Sequence, residues 1–197
     1  MNILLARTAG FCFGVDRAVS IAEKAAADGE KTVTLGPIIH NRHVVAHFES
    51  LGIRVIERPE EAEPGTTVII RSHGVSRAVS EELDRRQVKV LDATCPFVKK
   101  IHRIVSSAEQ EGRQPVIIGT RTHPEVEAIA GWCVHPLVFE TPEELSQWLS
   151  SDPGHAAQPI SMVSQTTSTQ KLWESCCEIA KKECTNCEIF DTICNAT

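Results

Sequence analysis

The sequence predicts an α/β protein built from repeated small units, each a parallel sheet covered by helices. Two observations carry that expectation. Short β-branched runs alternate with helix-period segments along the chain. An apolar-Asp-x-x-Cys pattern also recurs at strand ends, in Leu91-Asp92-Ala93-Thr94-Cys95 and in Phe190-Asp191-Thr192-Ile193-Cys194. A third strand end runs through Gly10-Phe11 to Cys12 just before a helix, so each unit carries one cysteine where a helix begins. In open α/β sheets that edge is where ligands bind.

In chain order, a strand is expected at residues 3–5, followed by a glycine-containing loop and a helix over 16–27. A strand at 32–35 and a helix at 41–50 follow, the helix stopping at Gly52. Strands at 53–56 and 67–70 precede a helix over 75–86 and a strand at 88–91. Pro96 fits the first turn of a long helix over 96–111, because that position needs no backbone N–H. A strand at 116–118, a short helix at 123–131, a strand at 137–139 and a helix at 142–149 come next. Residues 150–155 read as a loop by composition. A strand at 160–163, a helix at 170–182 and a strand at 188–190 complete the pattern, and the chain then stops where a further helix is due.

Composition narrows the function classes. The 197 residues allow one large domain or two small ones, and 42% apolar with 23% charged residues excludes disorder as the main state. A net charge of −6, no tyrosine and 5% aromatics argue against a nucleic-acid surface. No apolar run is long enough to span a membrane, and the N-terminus lacks a secretory leader. A cytoplasmic protein is therefore expected, with eight reduced cysteines rather than a disulfide framework.

Cys12, Cys95 and Cys194 each admit two readings, a buried small hydrophobe or a thiolate ligand for soft iron. The shared context favours the second, since helix N-termini favour the thiolate and three such ligands would leave one iron of a cubane cluster open. His40, His73 and His123 each sit between a strand end and a helix start. There they suit a shared anionic ligand such as phosphate, although any one alone reads as structural. Glu125, at a helix start, is either a proton donor or an acid facing the helix dipole, and Glu127 is the latter. The hydroxyls of Gln165-Thr166-Thr167-Ser168 either cap a helix or touch ligand. Cys176, Cys177, Cys184 and Cys187 imitate a zinc site but, like Cys133, read as structural, because two of the four lie inside a helix. Neither a phosphate-binding P-loop nor a dinucleotide fingerprint occurs.

Five motifs occur in order: Ala9-Gly10-Phe11-Cys12-Phe13-Gly14-Val15, Arg71-Ser72-His73-Gly74-Val75, Asp92-Ala93-Thr94-Cys95-Pro96, His123-Pro124-Glu125-Val126-Glu127 and Ser164-Gln165-Thr166-Thr167. Together they resemble the 4-hydroxy-3-methylbut-2-enyl diphosphate reductases, the iron–sulfur enzymes that end the methylerythritol phosphate route to isoprenoids. The resemblance implies three similar α/β domains around a central [4Fe-4S] cluster held by Cys12, Cys95 and Cys194. It implies a diphosphate held by His40, His73 and His123, a proton relay at Glu125, and Thr166 beside the departing hydroxyl. Ferredoxin or flavodoxin would supply electrons. The domains would be residues 13–95 and 96–193, with 1–12 and 194–197 as remnants of a third. Because the family's pattern continues past the third cysteine, the chain reads as truncated. The alternative to a working reductase is thus an inactive metal-binding fragment.

Overall fold

The computed structural model describes residue 4 and residues 9–196. The strand expected at 3–5 lies outside the described residues, apart from Leu4. The rest forms two four-stranded sheets in which every pairing is parallel.

The first sheet holds β1 (Thr32–Leu35), β2 (Arg54–Ile56), β3 (Thr67–Ile70) and β4 (Lys89–Asp92) in the order β2-β1-β3-β4. The second holds β5 (Gln114–Ile118), β6 (Leu137–Phe139), β7 (Ile160–Ser164) and β8 (Cys187–Ile189) in the equivalent order β6-β5-β7-β8. One winding pattern is thus used twice. Its β-branched strands are buried on both faces, as parallel sheets require. On one face of the first sheet, Ile69 packs with Ala18 and Ala22 of α1 (Phe13–Ala27) and Phe48 of α2 (Arg42–Ser50). On the other, Val33, Leu35, Val68 and Ile70 pack with Leu83 of α3 (Arg77–Arg85).

The second sheet is covered in the same way. Ile117 and Val163 meet Ile101 and Val105 of α4 (Pro96–Gln110) and Ile129 of α5 (Pro124–Ala130). Val116, Ile118 and Met162 meet Leu145 of α6 (Pro142–Ser151) and Trp173 of α8 (Gln170–Glu183). Where the two units touch, Trp132 Nε1 donates to Val75 O at 2.9 Å and the Arg77 guanidinium lies 5.5 Å over the Trp132 ring. Gly131 is required there, because a side chain at that position would run into Ser76.

Several boundaries differ from those expected. The segment read as a loop contains α7 (Pro153–Ala157), because Asp152 accepts from Gly154 N at 2.7 Å and Pro153 opens the turn. Helix α3 starts two residues late: Gly74 takes φ +74° and Ser76 is the cap, accepting from Val79 N. Helix α1 begins at Phe13 rather than residue 16, which makes Cys12 its N-cap. A 3-10 turn at Pro59–Glu61 was not expected.

Candidate active site

In a doubly wound sheet the crevice for a ligand opens where neighbouring strands send their connections to opposite faces, at the strand C-termini. In the first sheet that point lies between β1 and β3, and their trailing loops carry His40 and His73. In the second sheet it lies between β5 and β7, whose trailing segments carry His123, Glu125 in the first turn of α5, and Thr166. The two crevices face one another. Ring centroids are 4.5 Å apart for His40 and His73, 5.5 Å for His73 and His123, and 5.9 Å for His40 and His123.

Among the described residues, these imidazoles are the one group of three potential ligands whose nitrogens all lie within 4.8 Å of one another. An ion could therefore fit by distance, but the hydrogen bonding argues for an anion. His123 caps α5, its Nδ1 accepting from Glu125 N at 3.1 Å. A backbone N–H can only donate, so the neutral ring carries its proton on Nε2, which makes that atom a donor rather than a metal ligand. Burial, with the nearby charges of His40, Arg71 and His123, pushes His73 down to about 3. Burial chiefly, then the charges on His40 and Arg71, lowers His123 as well, against the pull of Glu127. These two rings are accordingly neutral N–H donors at physiological pH.

Glu125 and Thr166 form one unit across the second crevice. The carboxylate is 2% exposed. Its Oε1 accepts from Thr166 N at 2.6 Å and its Oε2 from Thr166 Oγ1 at 2.7 Å. Burial raises the Glu125 pKa and the two bonds from Thr166 oppose the rise. Such a group can hold a proton nearer neutral pH than an ordinary glutamate, as acid catalysis requires. Glu127 also lies in the first turn of α5, where an acid faces the helix dipole.

The three cysteines gather on the same cavity, of about 100 Å³, whose lining also includes His73, Glu125 and Thr166. Cys12 and Cys95 are the N-caps of α1 and α4. Gly14 brings α1 against Cys95, whose Sγ would lie 2.6 Å from a side-chain carbon there. Burial raises the Cys95 thiol; the backbone N–H groups of Phe97 and Val98 lower it, and the neighbouring Cys194 and Cys12 raise it. Cys194 N donates to Thr166 O at 2.8 Å. The chain leading to it is fixed by Thr192, whose hydroxyl accepts from Ser164 N at 2.8 Å and donates to Ser164 O at 2.7 Å.

Sequence reasoning passed over Thr192 and Arg71. Thr192 stood inside the repeated cysteine motif, and Arg71 is a cation directly after a β-branched strand; either could have been a signal. Cys176 is wholly buried in the core of the second unit, with Cys177, Cys184 and Cys187 packed against it. Burial holds Cys176 and Cys187 up at about 12, and these four cysteines pack into the apolar core of the second unit. A larger cavity of about 670 Å³ lies away from these groups, beside α4 and Trp132. His102 lines it, stacked on Trp132 at 5.2 Å.

Comparison with known proteins agrees with this architecture. The family model for LytB protein matches residues 3–197. The curated 4-hydroxy-3-methylbut-2-enyl diphosphate reductase of Caldanaerobacter subterraneus subsp. tengcongensis is 43% identical over all of this chain, which covers 68% of that relative. The enzyme of the same name from Geobacter sulfurreducens is 40% identical, again with 68% of its length covered. A solved structure of (E)-4-hydroxy-3-methyl-but-2-enyl diphosphate reductase superposes with a TM-score of 0.84 at 37% identity, covering 98% of this chain and 68% of that one. The Plasmodium falciparum reductase structure, 24% identical with a TM-score of 0.87 over 96% of this chain and 59% of its own, shares the fold. This chain is a member of the LytB protein family, whose curated relatives are 4-hydroxy-3-methylbut-2-enyl diphosphate reductases, a class of oxidoreductase.

Proposed function

We propose that this site reductively dehydrates (E)-4-hydroxy-3-methylbut-2-enyl diphosphate to isopentenyl and dimethylallyl diphosphate. Two electrons and two protons enter, and the C4 hydroxyl leaves as water. What carries the reading is that Glu125 and Thr166 share one cavity with three cysteines and His73. His40, His73 and His123 hold the diphosphate through N–H donors, which a buried anion needs in place of water. Once Glu125 is protonated at Oε2, its bond to the Thr166 hydroxyl reverses: Oε2 gives its proton to Thr166 Oγ1, which releases its own toward the departing oxygen.

Cys12, Cys95 and Cys194 would hold a [4Fe-4S] cluster, leaving one iron without a protein ligand. The donor set fits: three cysteine sulfurs on one cavity, two of them at helix N-termini where thiolate is favoured. When bound, the cluster supplies electrons one at a time and a Lewis acid for the C4 hydroxyl. Ferredoxin or flavodoxin is the assigned donor, and the cytoplasm the assigned compartment. Among the described residues no helix is long and apolar enough to cross a membrane. Residues 13–95 and 96–193 are assigned as two domains, and 1–12 with 194–197 as parts of a third.

The test is anaerobic reconstitution with iron and sulfide, followed by turnover on the same sample with a chemical reductant. The expected result is iron binding that falls when Cys12, Cys95 or Cys194 is changed to serine, with water loss dependent on Glu125. Iron bound without turnover would reject catalysis by this chain while keeping the cluster. Iron binding indifferent to all three cysteines would reject both.

A further inference from the structure

The histidine cage has donors but lacks a fixed charge, and a half-buried cation, Arg71, lies near enough to act on two of its rings. Arg71 follows β3, two residues before His73, and its side chain lies against Gly36 in the loop that leads to His40. Gly36 makes that approach possible twice over. It takes φ +70°, and a side-chain carbon on it would lie 3.0 Å from Arg71 Cζ. Arg71 Nε is buried and has no hydrogen-bond partner. Among the described residues no carboxylate comes within ion-pair distance of the guanidinium; Glu57 and Glu127 act on it only from farther away. A buried Nε without a partner on a half-buried guanidinium costs folding free energy, and a nearby anion would offset part of that cost.

We propose that Arg71 is the positioning charge of the diphosphate site, a fixed cation behind His40, His73 and His123 that balances the bound anion. The proposal rests on the diphosphate reading given above and adds a residue to it. Arg71 lies close enough to oppose protonation of both His73 and His123. With burial, which is the larger cause, this helps keep the His73 and His123 imidazoles neutral, so like charges do not crowd together. When the anion arrives it meets oriented N–H donors backed by a charge that needs no proton uptake. Arginine suits this role because it stays ionised even when burial lowers its pKa, as burial does here.

The experiment measures the affinity of the full chain for inorganic pyrophosphate by calorimetry, with thermal unfolding on the same samples. The variants are Arg71→Met, Arg71→Lys and His123→Asn. Arg71→Met is expected to weaken pyrophosphate about tenfold or more while leaving the melting temperature close to that of the parent, because a half-buried side chain with an unpartnered Nε is replaced by an apolar one of similar length. Arg71→Lys is expected to restore most of the affinity. In Arg71→Met the His123 imidazole should titrate at higher pH by NMR, a change that loss of packing alone would not produce. If His123→Asn weakens binding and Arg71→Met does not, the Arg71 proposal falls and the histidine site stands. If neither weakens it, both fall. An Arg71→Met chain that fails to fold would make Arg71 a structural residue and overturn the proposal.

Discussion

Thr166→Val tests the buried acid most directly. Valine keeps the branched shape of threonine and replaces the hydroxyl that donates to Glu125 Oε2 at 2.7 Å, while Thr166 N still serves Oε1. Both residues are buried, so solvent does not replace the lost bond. A hydrogen bond to an ionised group contributes about 1.5–3 kcal/mol, and one to a neutral group about half that. The variant should therefore lose about 3–12 °C in melting temperature at neutral pH, taking about 2–4 °C per kcal/mol for a chain of this size.

The sign with pH follows from linkage. Glu125 is raised in the folded state by burial, so its contribution is fully present below its ordinary value of 4.5 and is lost as pH rises through the folded value. The Thr166 hydroxyl opposes that rise, so removing it raises the folded value further and extends the loss. The stability gap between Thr166→Val and the parent should be small below the ordinary glutamate value of 4.5 and widen as pH rises above it. Urea unfolding across that range measures the gap. A gap of the same size at every pH, or none at all, would refute the assignment of Glu125 as a buried acid tuned by Thr166.

Three further outcomes follow. Thr192→Val removes both side-chain bonds to the fully buried Ser164 backbone, and should cost about 2–4 kcal/mol in urea unfolding together with bound iron, because Cys194 lies two residues on. His123→Ala loses the cap that receives Glu125 N and should cost about 0.5–2 kcal/mol, whereas His123→Asn keeps a capping oxygen and the stability, with pyrophosphate binding weakened in both. His73, held at about 3 against an ordinary 6.5, stays neutral in the fold while the unfolded ring takes up a proton. Stability should therefore fall as pH drops from 6.5 toward 3, by up to about 1.4 kcal/mol per pH unit, and the slope should flatten in His73→Asn.

Local signals in the chain went far toward the architecture. Alternating β-branched and helix-period segments led to seven of the eight described strands within one residue, and to β5 from its third residue, because Gln114-Pro115 does not look like a strand start. Pro96 and Gly52 marked helix ends because their chemistry acts on their own backbone. The same logic missed α7, since Ser-Asp-Pro-Gly has loop composition and only the Asp152 cap shows that a turn of helix forms.

What the sequence by itself determined is where chemistry-bearing residues stand along the chain: cysteines and histidines at strand–helix junctions, a position fixed by neighbours a few residues away. Only the tertiary structure decided what they stand beside. That the Arg71 guanidinium lies against Gly36 without a hydrogen-bond partner at Nε, that Glu125 is closed in by Thr166, and that Thr192 stands in for a strand beside Ser164 all depend on strands and loops far apart in sequence being set side by side within each sheet. Burial and long-range hydrogen bonds set the protonation of these groups, and both arise between residues that no local pattern relates.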